Sequence, residues 1–318
     1  MKIKTVLPAL LCLAKFIAPG QTTNSALLNE AAKENAQSNF LKAIRLYDRV
    51  IEQNTDSAKY YFYRGQDYAM IKESKSALQD YSKAISLNPA FFDTYDSRAI
   101  LYYSIYEPEK SINDYNQALV YCDTSRDLRV FLHNNRGNAK ALRHDLKGAY
   151  ADYLEALKLD AQGLGTLQNI GEALNQMDRT QEAAMYLAQL TNLSPDNING
   201  RNELGYSYLK LNRFEEAIQQ FDIVLKLDPR QALTLNNRGL AKYNLQDYVN
   251  AMDDVNQAIT LSPQNAYSYR NRALIYFAGG KIEAGCANLL QAVRLGYIEK
   301  YGPDARELYA QNCGEAKF

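Results

Sequence analysis

The sequence predicts an all-α fold: a solenoid of about eight antiparallel helix pairs with a C-terminal capping helix. Three observations carry that prediction. Similar segments begin at residues 24, 58, 92, 130, 164, 198, 232 and 266, a spacing of about 34. Within them a small residue recurs in a first helix, as Ala31, Gly65, Ala99, Gly137, Gly171, Gly205, Gly239 and Ala273, and another in a second helix, as Ala43, Ala77, Ser111, Ala149, Ala183, Ala217, Ala251 and Gly285. Pro89, Pro195, Pro229 and Pro263 close their units, as expected of a residue that cannot continue a helix.

Before the repeats, Lys2 and Lys4 are followed by an apolar run from Thr5 to Ala14, with Ala18 and Gly20 as small residues ahead of Gln21. Residues 1–20 therefore read as a secretory signal peptide, although Lys15 interrupts the pattern. The run is too short for a membrane span, which needs roughly 20 residues. Lipoprotein processing at Cys12 is disfavoured because Leu11 stands where that cleavage wants a small residue. The mature chain is expected in the periplasm or cell envelope, without an integral membrane span.

The array is expected over 21–299. Its first repeat carries Glu30 and Glu34 at apolar positions, which suits an end unit whose outer face meets water. Residues 126–129 are four extra, close to one helical turn, and can lengthen a helix without disturbing the stacking. In the capping segment, 300–318, Pro303 can open a helix that presents Ala305, Leu308 and Tyr309 on one side.

Residues 198–231 show why such segments pair. Glycine inside a helix costs roughly 1 kcal/mol relative to alanine, so Gly205 implies a close helix contact, with Ala217 as its small partner. Tyr208 and Phe221 then fill the space beside that contact. The run Leu204, Gly205, Tyr208, Ala217, Phe221, Val224 and Pro229 resembles the tetratricopeptide repeat. That resemblance implies a right-handed α-solenoid whose first helices line a concave surface, and a role in binding proteins or peptides.

Charge and chemistry narrow the function further. The 36 basic and 36 acidic residues balance, so no net field draws the chain to nucleic acid or anionic lipid. His133 and His144 are the only histidines, no cysteine pair has metal-ligand spacing, and no phosphate loop or nucleophile motif is present. No catalytic residue, metal or cofactor is expected. His133 holds the place of a large packing residue.

Arg64, Arg98, Arg136 and Arg238 precede the small first-helix residue in repeats that also carry Asp80, Asp114, Asp152 and Asp254; where Ile170 and Leu204 replace the arginine, Tyr186 and Gln220 replace the aspartate. This covariation within one chain predicts structural ion pairs between packed helices, suited to the planar guanidinium. It breaks at Arg272, which matches Asn288.

The fifth and sixth positions of the later first helices read Asn134 and Asn135, Gln168 and Asn169, Asn202 and Glu203, Asn236 and Asn237, then Arg270 and Asn271. They resemble the asparagine ladder in the repeat domain of O-linked N-acetylglucosamine transferases, which implies that amides hold a peptide backbone; the alternative is solvated amides. Each amide has a donor and an acceptor to offer. Candidate groove residues are thus Asn134, Asn135, Asn169, Asn202, Asn237 and Asn271, with Tyr103, Tyr206, Tyr243 and Phe277 for apolar contact. The family's carboxylate clamp is disfavoured, because Gln66, Asp93 and Asp96 stand where it needs cations.

Export would permit a disulfide. Cys286, early in the last second helix, and Cys313, late in the capping helix, are expected at one end of the stack and form a candidate bridge, leaving Cys122 outside it. Two functions remain open: a non-enzymatic scaffold holding an extended peptide in its groove, or a structural subunit of an envelope complex that contacts a folded partner through the convex face or the ends.

Overall fold

The computed structural model describes residues 22–53, 56–122 and 125–314, and every regular element among them is a helix. The proposed signal peptide lies outside the described residues. Two compact units divide the chain, residues 1–124 and 125–318. The first holds α1 (Thr22–Ala36), α2 (Phe40–Gln53), α3 (Ala58–Met70), α4 (Ser74–Leu87), α5 (Phe92–Ser104) and α6 (Pro108–Tyr121). The second holds α7 (Arg126–Leu142), α8 (Leu146–Leu159), α9 (Leu164–Gln176), α10 (Thr180–Leu193), α11 (Ile198–Lys210), α12 (Phe214–Leu227), α13 (Ala232–Asn244), α14 (Tyr248–Leu261), α15 (Ala266–Ala278) and α16 (Ile282–Arg294), then α17 (Tyr297–Tyr301) and α18 (Asp304–Cys313).

The boundary falls at the four extra residues. They become the first turn of α7, which runs 17 residues where α9 runs 13. Within each unit, first helices approach one another more closely than second helices do, as α3 with α5 and α11 with α13. First helices therefore form the tighter, inner face.

Small residues set the pairing distance. A β-carbon at Gly205 would lie 2.5 Å from the Phe221 ring, and one at Gly171 2.5 Å from Leu187. Ala217 and Phe221 have no exposed surface. In the fifth repeat, where the ion pair is absent, Leu167, Ile170, Leu174, Leu187 and Leu190 form a fully buried aliphatic core.

The turns hold a feature with no obvious sequence mark. Ser38, Lys72, Tyr106, His144, Asp178, Asn212 and Gln246 occupy one register with positive φ between 58° and 64°, and only the eighth turn supplies a glycine, Gly280. The next amide closes each turn, as Glu107 N–H donating to Tyr102 O at 2.9 Å. This six-to-one bond is that of a Schellman motif, which satisfies carbonyls at the helix end.

The C-terminal segment departs from the expected single helix. Gly296 and Gly302, at φ of 80° and 102°, set off the short α17 from α16 and α18. Its Tyr297 and the Ala305 of α18 complete a core with Ala273, Leu289 and Ala292.

Left-handed backbone costs an L-residue roughly 1–2 kcal/mol. Tyr106 is 79% exposed, so little packing offsets that strain. Tyr106→Gly is expected to raise stability by about 1 kcal/mol, after some loss to chain entropy. The check is a higher urea midpoint with unchanged slope; a lower midpoint would show that the turn carries no such strain.

Candidate functional site

The arginines lie between helices. Arg98 donates from Nε and Nη2 to the two carboxylate oxygens of Asp114 at 2.7 and 2.8 Å, and Arg64 holds Asp80 the same way at 2.7 Å. Arg136 with Asp152 and Arg238 with Asp254 repeat the fork. Each arginine fork links the first helix of a repeat to its second. The remaining nitrogen reaches back one repeat: Arg64 Nη1 to Asp48, Arg98 Nη1 to the Ser82 hydroxyl, Arg238 Nη1 to Asp222. Arg272 keeps the geometry on neutral partners, Asn288 and Asn256. These back-reaching acceptors were missed from sequence because aspartate, serine and asparagine alternate there.

The same fork sits in different fields. Burial pushes the Asp114 carboxyl above the usual range despite Arg98. Burial acts on Asp152 too, but His133, Arg136 and Lys140 together hold it well below that range. Lys140 Nζ lies 2.8 Å from Asp152, and His133 is buried beside it rather than presented for ligation.

The amide register divides into spent and unspent members. Asn134 donates to Thr166 at 2.8 Å, and Asn202 accepts from Thr234 at 2.7 Å. Asn271, 1% exposed, donates to Asn236, and Asn169 donates to Asn138, which also accepts from Tyr153. These four candidates therefore stitch neighbouring repeats together. Asn135 and Asn237 are half-buried and make no side-chain hydrogen bond to any described residue. Threonine two residues into the next first helix was the available signal for this stitching.

The aromatic candidates also divide. Phe277 is spent filling the space left by Gly285, and Tyr243 is half-buried against Tyr248 with ring centroids 5.7 Å apart. Tyr103 is half-buried in unit 1. Tyr206 is exposed, as is Leu233 at 63%, both on inner-face first helices of unit 2.

At the C-terminal end, Arg270 donates to Asp304 from Nε and Nη2 at 3.1 and 2.8 Å. Cys286 and Cys313 form a disulfide with their α-carbons 5.8 Å apart, joining α16 to α18. Cys122 lies at the end of α6, with its sulfur 3.8 Å from Leu119 O. Among the described residues no group of three or more His, Cys, Asp or Glu side chains could hold a metal ion, and no helix is long and apolar enough to cross a membrane.

The sequence family described as tetratricopeptide repeat matches residues 164–197 and 202–266. The chain is a tetratricopeptide-repeat protein. It is 33% identical over 93 residues to a UDP-N-acetylglucosamine–peptide N-acetylglucosaminyltransferase of Giardia intestinalis, a match covering 29% of this chain and 6% of that protein. It is 27% identical over 92 residues to the Hsp70-Hsp90 organizing protein of Triticum aestivum, covering 29% of this chain and 16% of that one. The match thus spans only a small part of either relative. Among solved structures, the APC/C hetero-tetramer Cut9-Hcn1 superposes with a TM-score of 0.59 at 18% identity, over 92% of this chain and 57% of that chain, a likeness of fold alone.

Removing one partner of a buried pair costs roughly 3–5 kcal/mol by stranding a charge. Asp114, 5% exposed, has Arg98 as its guanidinium partner. Arg98→Leu is expected to destabilise by about 3 kcal/mol, and Arg98→Leu with Asp114→Asn by less than half as much. Urea unfolding of both variants decides it; equal losses would mean the pair is uncoupled.

Proposed function

We propose that the protein is a non-enzymatic scaffold that holds an extended peptide, or a flexible segment of a partner protein, along the first-helix face of its second unit. The repeats support a scaffold for protein–protein interaction, and the uncommitted side chains support the finer reading. Asn135 and Asn237 share one register, are half-buried, and keep amide donors and acceptors available, while Tyr206 and Leu233 offer apolar surface on the same face. An amide can pair with a peptide group whatever side chain follows, and apolar contacts add register.

A second reading has an observation of its own. Met185 on α10 and Val249 on α14 are 66% and 76% exposed on second helices, which favours a structural subunit that meets a folded partner through the convex face. The two readings separate in a pull-down from the native envelope fraction. Asn135→Ala with Asn237→Ala is expected to lose groove partners while remaining folded, because neither amide supports a neighbouring repeat. Recovery of the same partners at the same strength would transfer the function to the outer face.

We also propose that the chain is exported and cleaved after Gly20. The basic and apolar start of the sequence supports this, and a Cys286–Cys313 disulfide suits an oxidising compartment. N-terminal sequencing of the exported protein is expected to begin at Gln21. An intact Met1, or a lipid on Cys12, would overturn it.

A further inference from the structure

The inner face of the first unit carries carboxyl groups with no cation against them. Asp93 and Asp96 lie one turn apart on α5, and Asp67 lies on α3. Asp67 is 2% exposed and its Oδ2 has no hydrogen-bond partner; Asp96 Oδ1 is likewise buried and unpartnered. Tyrosines of the surrounding helices lie within electrostatic range of them: Tyr81 of α4 of Asp67, Asp80 and Asp96, Tyr47 of α2 of Asp67, Tyr63 of α3 of Asp93, and Tyr115 of α6 of Asp96. From α1 only the Asn35 amide reaches Asp67.

The nearby arginines do not relieve this. Arg64 and Arg98 are committed to Asp48, Asp80, Asp114 and Ser82 between helices. Nor does the fold require acids at these places. The second unit puts Ser207 in the register of Asp67, Asn134 or Asn202 in that of Asp96, and Leu233 in that of Asp93. Burying an unpaired carboxylate costs several kcal/mol, so the two orphaned oxygens, on Asp67 and Asp96, need a reason that stacking does not supply.

We propose that the first-helix face of the first unit docks a cationic segment of a partner protein, with a lysine ammonium or arginine guanidinium seated at Asp93 and Asp96. This rests on the reading of the array as a peptide-holding scaffold and adds the chemistry of the partner. A cation supplies the donors that the orphaned oxygens lack, and charge-assisted bonds of this kind are about twice as strong as neutral ones.

A proton-linked signature follows. Burial, with Asp93 beside it, pushes Asp96 up to about 7, and burial against the weaker pull of Asn35 pushes Asp67 up to about 7. Below that pH both groups are neutral in the free protein. An arriving cation favours the ionised form and expels the protons, so docking strengthens as pH rises through 7 and levels off above it.

The test is titration calorimetry of the full-length protein at physiological salt with a peptide of alternating lysine and glycine. Matched peptides carry glutamine or glutamate in place of lysine. The lysine peptide is expected to bind about tenfold tighter at pH 8 than at pH 6, a difference of about one unit of linked titration. At pH 6.5, two buffers of different ionisation enthalpy should report proton release. Asp96→Asn should weaken binding about tenfold and reduce the release, and Asp67→Asn should remove the remainder. Both variants should be more stable than the parent at pH 8, because each replaces a buried charge, so lost binding cannot be lost folding. Equal binding of the lysine and glutamine peptides, or unchanged binding by Asp96→Asn, overturns the charge assignment alone. If the lysine peptide fails to bind while native partners are still captured in an Asn135- and Asn237-dependent way, the charge assignment again falls alone; loss of both overturns the scaffold reading as well.

Discussion

Each repeat depends on how closely its two helices approach. At Gly205 there is no room for even a methyl group beside Phe221, and that contact fixes where every other side chain of the repeat can act. With the helices this close, a guanidinium one residue before the small position reaches the carboxylate one residue before the large one. The fork between Arg98 and Asp114 is therefore a consequence of the glycine and alanine registers. Where Ile170 replaces the arginine, the same close approach is filled by leucine and isoleucine instead. Both fillings satisfy the demand for dense packing, but only the charged one can also reach Asp48, Ser82 or Asp222 in the preceding repeat.

This explains why the fold was so legible. Small residues at fixed spacing report a backbone-to-backbone constraint that no other part of the sequence can relax, and eight repetitions make the signal redundant. The arginine and aspartate pattern was legible for the same reason, since loss of one partner in Ile170 and Leu204 coincides with loss of the other in Tyr186 and Gln220. The turns were not legible. Serine, lysine, tyrosine, histidine, aspartate, asparagine and glutamine all occupy the left-handed position, so the constraint there is on the backbone, imposed by helices already paired, and leaves no residue type as its mark.

The candidate site was legible as a register but not as a function. Amides at the fifth and sixth positions were visible, yet an asparagine can bond a neighbouring repeat as readily as a visiting peptide. Thr166 and Thr234 decide the matter for Asn134 and Asn202 by standing 32 residues on, within reach of the preceding helix. Asn135 and Asn237 have no such neighbour. The sequence shows both kinds of asparagine in the same column, and only the packing of one first helix on the next separates them.

Electrostatics separates the two units in a way that composition conceals. A chain with equal numbers of acids and bases has no net field, but pairing distributes that balance unevenly. In the second unit Arg136 and Lys140 gather on the buried Asp152, and amides fill most of the fifth and sixth first-helix positions. In the first unit Arg64 and Arg98 are drawn into the interhelical forks, and no cation offsets the burial of Asp67, Asp93 and Asp96. Burial then opposes ionisation, offset only by the Asn35 amide at Asp67, so all three carboxyls are pushed above the usual range. Acids held back by burial rather than neutralised by pairing keep their charge in reserve, and a donor reaching Asp96 meets an oxygen, Oδ1, that no hydrogen bond of the fold uses.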